Sequence, residues 1–246
     1  MFPEMKKGLL LAIIFVGGCL TLYGQSSRSY SEILETRKQG VYSNHSDSYI
    51  AQILTGSKVW DHEIDHQQLF LDKPPVRGSL VYDGVLFNDI ELQYNLSTQQ
   101  VIVLLETEIS EGYVTVTIDK ASRFSVYDHE FVQVLGDSVM EKGIYELAYA
   151  GANSNVFIKR TNKRLKSIQG SQVNTEYYPV NKYYISNEFG TFHITSKKQL
   201  LEAYQHSRQL ISILKKYRIK LSKRKIEQSL IAAISNFEAE TASNNI

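Results

Sequence analysis

Between residues 45 and 195, apolar and polar positions alternate over short runs, the period of two that half-buried strands require. Ile90-Glu91-Leu92-Gln93-Tyr94 alternates strictly, and Tyr113-Val114-Thr115-Val116-Thr117-Ile118 is β-branched at nearly every position. Ser79-Leu80-Val81-Tyr82 runs into Asp83-Gly84, a pair that tolerates positive φ and so favours a two-residue hairpin turn; Val85-Leu86-Phe87 follows. The unbroken run Val101-Ile102-Val103-Leu104-Leu105 predicts a central strand covered on both faces. Further strands are expected at residues 124–127, 131–135, 144–149, 156–159 and 183–185. Turn residues punctuate these runs at intervals of about ten, the spacing of an antiparallel sandwich, roll or half-barrel.

At Ser196 the apolar period changes to that of a helix. Ser196-Lys197-Lys198-Gln199 is a capping box, in which the hydroxyl accepts the Gln199 amide and the Gln199 side chain reaches back. Leu200, Tyr204, Ile211, Leu214 and Tyr217 then share one helical face. A second helix over 223–237 aligns Ile226, Leu230, Ala233, Ile234 and Phe237, with residues 218–222 as the connection. Each helix has a single apolar stripe to bury, and the sheet of the same chain is the nearest partner. The expected fold is a β-rich α+β protein: an antiparallel β-sandwich or roll over 45–195, a helical hairpin over 196–238 and a polar tail over 239–246.

The first 24 residues read as a secretory signal. Lys6 and Lys7 precede an apolar stretch, and Gly24 offers a small residue at the cut. Val16-Gly17-Gly18-Cys19 also fits a lipobox, so a lipid anchor on Cys19 is the second reading. A polar, Ser-rich segment follows over 25–44. Removal of the signal takes Lys6, Lys7 and Glu4 from 27 basic and 26 acidic residues and leaves a neutral chain without cysteine. Disulfides, thiol chemistry and cysteine-ligated zinc are thereby excluded downstream of the signal. No later segment is apolar and long enough to span a bilayer as a helix. The expected location is the periplasm or outer cell envelope.

Neutrality hides an asymmetry. Residues 197–225 carry ten Lys or Arg against the single acid Glu202, while residues 25–196 are net acidic. Two readings stay open: the solvated face of helices docked on an acidic body, or a contact for anionic lipid headgroups or polysaccharide. In the second, the contact is expected at the bend, with Lys216, Lys220, Lys223 and Arg224 as its core. Nucleic acid is not an expected partner. Lys159-Arg160-Thr161-Asn162-Lys163-Arg164-Leu165-Lys166 has no aromatic residues interleaved for base stacking, and reads as a charged hairpin tip or a protected strand edge.

The order of several phrases resembles a known series. Gly78-Ser79-Leu80-Val81-Tyr82-Asp83-Gly84 and Leu92-Gln93-Tyr94-Asn95 come first. Phe124-Ser125-Val126 with Phe131-Val132-Gln133-Val134-Leu135 comes next, then Gly143-Ile144-Tyr145-Glu146-Leu147. Tyr183-Tyr184-Ile185 leading to Ser196-Lys197-Lys198-Gln199-Leu200-Leu201 closes it. In this order the chain resembles a family of uncharacterised exported proteins from Bacteroidetes-type bacteria, over about residues 50–237. The resemblance implies an envelope or secreted location and a β body with a helical end. It implies no activity and no catalytic residue. Asp61 to Pro75 departs from the family pattern, which has a "GHPFFL"-like phrase near His66 to Leu71.

One motif carries chemistry. His62-Glu63-Ile64-Asp65-His66 is a literal H-E-x-x-H; on a helix, the two imidazoles lie one turn apart and hold zinc while the Glu takes a proton from the bound water. A zinc peptidase built on His62, Glu63 and His66 is therefore the alternative to a non-enzymatic envelope binding or structural protein. Its context is poor, with Asp65 at an inner position, Pro74-Pro75 close behind, and His129 or Glu130 as the nearest candidates for a third ligand. Asp128-His129-Glu130 is an acid–His–acid triplet without a matching nucleophile and reads as a structural turn. Asp137-Ser138-Val139 matches a three-residue O-glycosylation signal, a short pattern of low specificity. There is no phosphate loop, dinucleotide fingerprint or nucleophile elbow.

Overall fold

Asp83 and Gly84 both take positive φ, 49° and 80°, and fold β2 (Val76–Tyr82) onto β3 (Val85–Asn95) with Tyr82 opposite Val85. This is the predicted hairpin, seen in a computed structural model that describes residues 56–59, 65–106, 111–169 and 172–243. The signal, the polar segment 25–44, His62 and Glu63 lie outside the described residues. The two short runs expected on either side of Asn88 are one strand. Asp89, at φ 57°, is the extra residue of a bulge where the register steps between Gly78 and Ser79. The bulge resets the phase, so Phe87 and Ile90, three residues apart, both face the core with Leu92 and Tyr94.

Among the described residues, eleven strands form one antiparallel sheet. β4 (Gln100–Glu106) pairs with β3, and β5 (Glu111–Val116) pairs with β4 and with β1 (Gly56–Val59) at the edge. Of the run expected to be covered on both faces, Val101, Ile102 and Val103 are buried and Leu104 is half-buried. From β5 the chain crosses to the free side of β2, where β6 (Ala121–Val126) pairs. A meander follows: β7 (His129–Val134), β8 (Gly143–Ala150), β9 (Ser154–Gln169), β10 (Gln172–Asn187) and β11 (Gly190–Ile194). The crossover joins both halves edge to edge, so the sandwich alternative gives way to a single sheet.

That sheet curls. β3 and β9 are five strands apart, about 24 Å along a flat sheet. Yet the Asn162 amide donates to the Leu96 carbonyl at 3.3 Å, and Gln99 Nε2 donates to the Arg160 carbonyl at 2.9 Å. The inner face of the first half forms one core, in which Phe124 stacks on Phe131 (centroids 4.9 Å) and Tyr94 meets both rings. The inner face of the second half supplies Val156, Ile185 and Ile194 to a second core, completed by helices.

Among the described residues those helices are three, not two. α1 (Lys197–Ala203) ends at Tyr204; Gln205 and His206 take positive φ, and Ser207 caps α2 (Arg208–Lys216). The break rotates the apolar stripe: α2 buries Leu210, Ile213 and Leu214, while Tyr217 is exposed. At Ser196 the hydroxyl accepts the Gln199 amide as expected, but Gln199 Oε1 returns to the Thr195 amide, at 2.7 Å. α3 (Ile226–Ser243) starts later than predicted and absorbs most of the expected polar tail. Its last turns are held by Glu238, which accepts from the amides of Ala152 (2.8 Å) and Asn153 (3.2 Å) and from Tyr149 Oη (3.2 Å). No helix among the described residues is long and apolar enough to cross a membrane.

β9 and β10 outrun their neighbours. They pair with each other from Ser154 opposite Asn187 to Gln169 opposite Gln172. β8 accompanies β9 only over 155–158, and β11 accompanies β10 only over 183–187. The outer halves project as a two-stranded arm.

Candidate functional site

Three adjacent strands and α3 bring four ionisable groups together at the junction of the two cores. Val126 pairs with His129 across the β6–β7 turn, which sets the imidazole on the same face as Phe131. Glu146 lies opposite both Phe131 and Ile158, and Arg160 is two residues beyond Ile158 on that face. His129 Nδ1 lies 2.6 Å from Glu146 Oε1, and Arg160 Nε donates to Glu146 Oε2 at 2.5 Å. The two terminal nitrogens of Arg160 donate to Glu227 at 2.8 and 2.7 Å in the bidentate fork that guanidinium geometry favours. Phe70 covers the group, with its ring 4.9 Å from the His129 ring and 6.0 Å from the guanidinium carbon.

This set is a bridge rather than a reactive centre. Glu146 is 3% exposed and both of its oxygens are engaged, so it serves His129 and Arg160 together. Burial works against the Arg160 charge, but the hydrogen bonds to Glu227 and Glu146 outweigh it and push the pKa up. The partner of His129 is a carboxylate already held by a cation, not a hydroxyl or thiol that it would activate. Asp128 stays exposed in the turn and Glu130 pairs with Arg123 at 2.5 Å, so the acid–His–acid triplet does not act as a unit. A single Glu inside the apolar run Ile144-Tyr145-Glu146-Leu147 was the one sequence signal of this bridge. Nothing in the sequence pointed to its partners.

His66 opens a single 3-10 turn, is exposed, and follows Asp65, whose backbone is extended (φ −85°, ψ 112°). A helix carrying both His62 and His66 would have to run through Asp65. What this turn does is brace the arm: the Gln67 carbonyl accepts from Asn162 Nδ2 at 2.8 Å, and Gln68 Nε2 donates to Tyr177 Oη at 3.1 Å. Among the described residues no three His, Cys, Asp or Glu side chains are grouped to hold a metal. Asp137 of the glycosylation-like triplet folds back to accept from the amides of Val139 and Met140, both at 2.6 Å.

The basic bend is resolved into two kinds of cation. Lys216 is paired with Glu240 at 2.6 Å and lies against Tyr217. Lys220, Lys223 and Arg224 are exposed, as are Lys215, Arg218 and Lys225, and none of these six forms an ion pair among the described residues. Ile219 and Leu221 pack into the second core and Ser229 Oγ donates to the Lys220 carbonyl at 3.0 Å, so the connection is pinned with its cations outward. The charged strip 159–166 lies along β9. The arm turns later, between Gln169 and Gln172, so the strip is a strand edge rather than a hairpin tip.

Fold and surfaces together define a β-rich α+β protein: one curled antiparallel sheet, a helical layer on half of its inner face, a projecting arm and a bare basic connection. No family model, no curated protein and no solved structure matches this chain.

Proposed function

We propose that this is an exported, non-enzymatic binding protein of the cell envelope that docks on an anionic surface through the α2–α3 connection. One observation carries the reading: six exposed cations within residues 215–225 lack ion-pair partners among the described residues, while nearby Lys216 has one. Their placement runs against helix electrostatics. Lys223, Arg224 and Lys225 sit at the positive end of the 18-residue α3, where cations are disfavoured by about 0.3–1 kcal/mol each. Departures from a local rule without internal compensation concentrate at functional sites. The signal-like first 24 residues and the resemblance to exported proteins support the location.

The test is co-sedimentation with anionic vesicles and, separately, retention by dextran sulfate across a salt series. Binding is expected to fall steeply as salt shortens the reach of the charges. Charge reversal at Lys220, Lys223 and Arg224 to Glu is expected to abolish it with little change in thermal midpoint, since exposed charges add little stability. Wild-type protein that binds neither probe at low salt refutes the proposal.

A further inference from the structure

We infer that the outer half of the β9–β10 arm is a finger that enters an anionic lipid bilayer and seats the basic connection on it; this rests on the anionic-surface reading and narrows it to lipid. Leu165, Ile168, Val173 and Tyr178 are 53%, 75%, 61% and 45% exposed, a concentration of bare apolar surface on one projecting element. Ile168 is directly opposite Val173 beside the turn. Leu165 and Tyr178 fall on the other face, since Tyr178 is opposite Lys163, two residues from Leu165. A rigid partner lies against one face, whereas a fluid interface closes round both.

Charge selects among occupants. Lys166 and Arg164 share a face with Ile168 and lie two and four residues behind it, and Lys163 is five behind, so the three sit about 7–17 Å from the apolar pair. That is headgroup depth when the pair enters the interface. Tyr178, opposite Lys163, stands at the same level, where tyrosines gather at membrane surfaces. A second copy pairing arm to arm would set Lys163, Arg164 and Lys166 near their counterparts, with Glu176 as the acid of the projecting segment. At the base, Arg160 grips Glu227, two residues after Lys225, so the basic connection ends where the arm begins. Two weak elements thus act together, one apolar and one cationic, as stable peripheral anchoring requires. The bilayer also covers a two-stranded ribbon that is marginal alone in water.

The chain from residue 25 on has no cysteine, so Ile168→Cys accepts a single environment-sensitive fluorophore. With anionic vesicles its emission is expected to shift blue and to be quenched by nitroxide lipid; with dextran sulfate it is expected not to shift. The double variant Ile168→Asn/Val173→Asn is expected to bind vesicles about tenfold more weakly, to bind dextran sulfate as before, and to keep its thermal midpoint. Vesicle binding without a shift, or full binding by the double variant, overturns the finger and leaves the basic connection standing. Retention by dextran sulfate with no vesicle binding does the same. A shift that needs no vesicles and accompanies a doubling of mass overturns it in favour of arm pairing between copies. If neither probe is bound, both readings fall.

Discussion

Replacing Arg160 with Met removes the permanent cation from a set of four groups, of which Arg160 and Glu146 are buried. Glu146, with its side chain 4% exposed, then faces the core with only the His129 ring beside it. Breaking a buried ion pair from one side costs about 3–5 kcal/mol, because the remaining charge stays in a low dielectric. Glu227 is 31% exposed, so water replaces much of what it loses, and its share is held to ~1 kcal/mol or less. The expected loss is therefore ~3–4 kcal/mol, set mainly by Glu146. With a urea m-value of about 2–3 kcal/mol/M, the unfolding midpoint falls by roughly 1.5 M. A matched variant, Arg160→Met with Glu146→Leu and Glu227→Gln, removes every charge of the bridge except any on His129. Apolar replacement of a whole buried set is often near neutral, so this variant is expected within ~1 kcal/mol of wild type. Both are read by equilibrium urea denaturation followed by circular dichroism at neutral pH. A single variant within ~1 kcal/mol of wild type, or a triple variant no better than the single, would refute the assignment of the bridge as a buried, mutually dependent set.

Alkaline pH is expected to unfold the protein through its tyrosines. Burial pushes Tyr204, Tyr145 and Tyr149 up to about 12 from the ordinary 10.0, with Glu238 adding to the effect at Tyr149. The unfolded chain ionises first, so their contribution is complete below pH 10.0 and drains away as pH rises to about 12. Tyrosinate absorbance that appears near pH 10.0 for all residues, with tertiary structure intact, contradicts this. Gly151→Ala is expected to cost ~2 kcal/mol, because a Cβ there would lie 2.0 Å from Glu238 Oε2 and 2.6 Å from Tyr149 Cε1. Glu238→Gln should cost less, ~1 kcal/mol, by weakening the same latch, and an unchanged thermal midpoint in both would show that α3 does not depend on it. Metal analysis after zinc supplementation should return well below one equivalent, whereas stoichiometric zinc lost on His66→Ala would favour the peptidase alternative on His62, Glu63 and His66.

Local patterning determined most of the elements. Asp83-Gly84 specified its hairpin because only residues at ease with positive φ close such a turn, and both positions have it. The run Val101-Ile102-Val103 had to be interior, and Ser196 had to start a helix, since each signal is complete within a few residues. Where a residue's role depends on distant partners, only the tertiary structure decided. The bulge at Asp89 merged two runs into one strand where the pairing of β2 with β3 steps between Gly78 and Ser79, a register that the partner strand sets. Reversal at Gln205 and His206, both at positive φ, split one predicted helix in two, and Leu200 of α1 and Leu210 and Leu214 of α2 enter the same second core. Arg160 looked like its neighbours Lys163 and Arg164, yet it alone falls beneath α3 and meets two carboxylates from residues 14 and 67 positions away. The length of the arm was equally hidden. Pairing of β9 with β10 persists past the ends of β8 and β11, and strand length relative to neighbours is a property of the assembled sheet, not of any stretch of sequence.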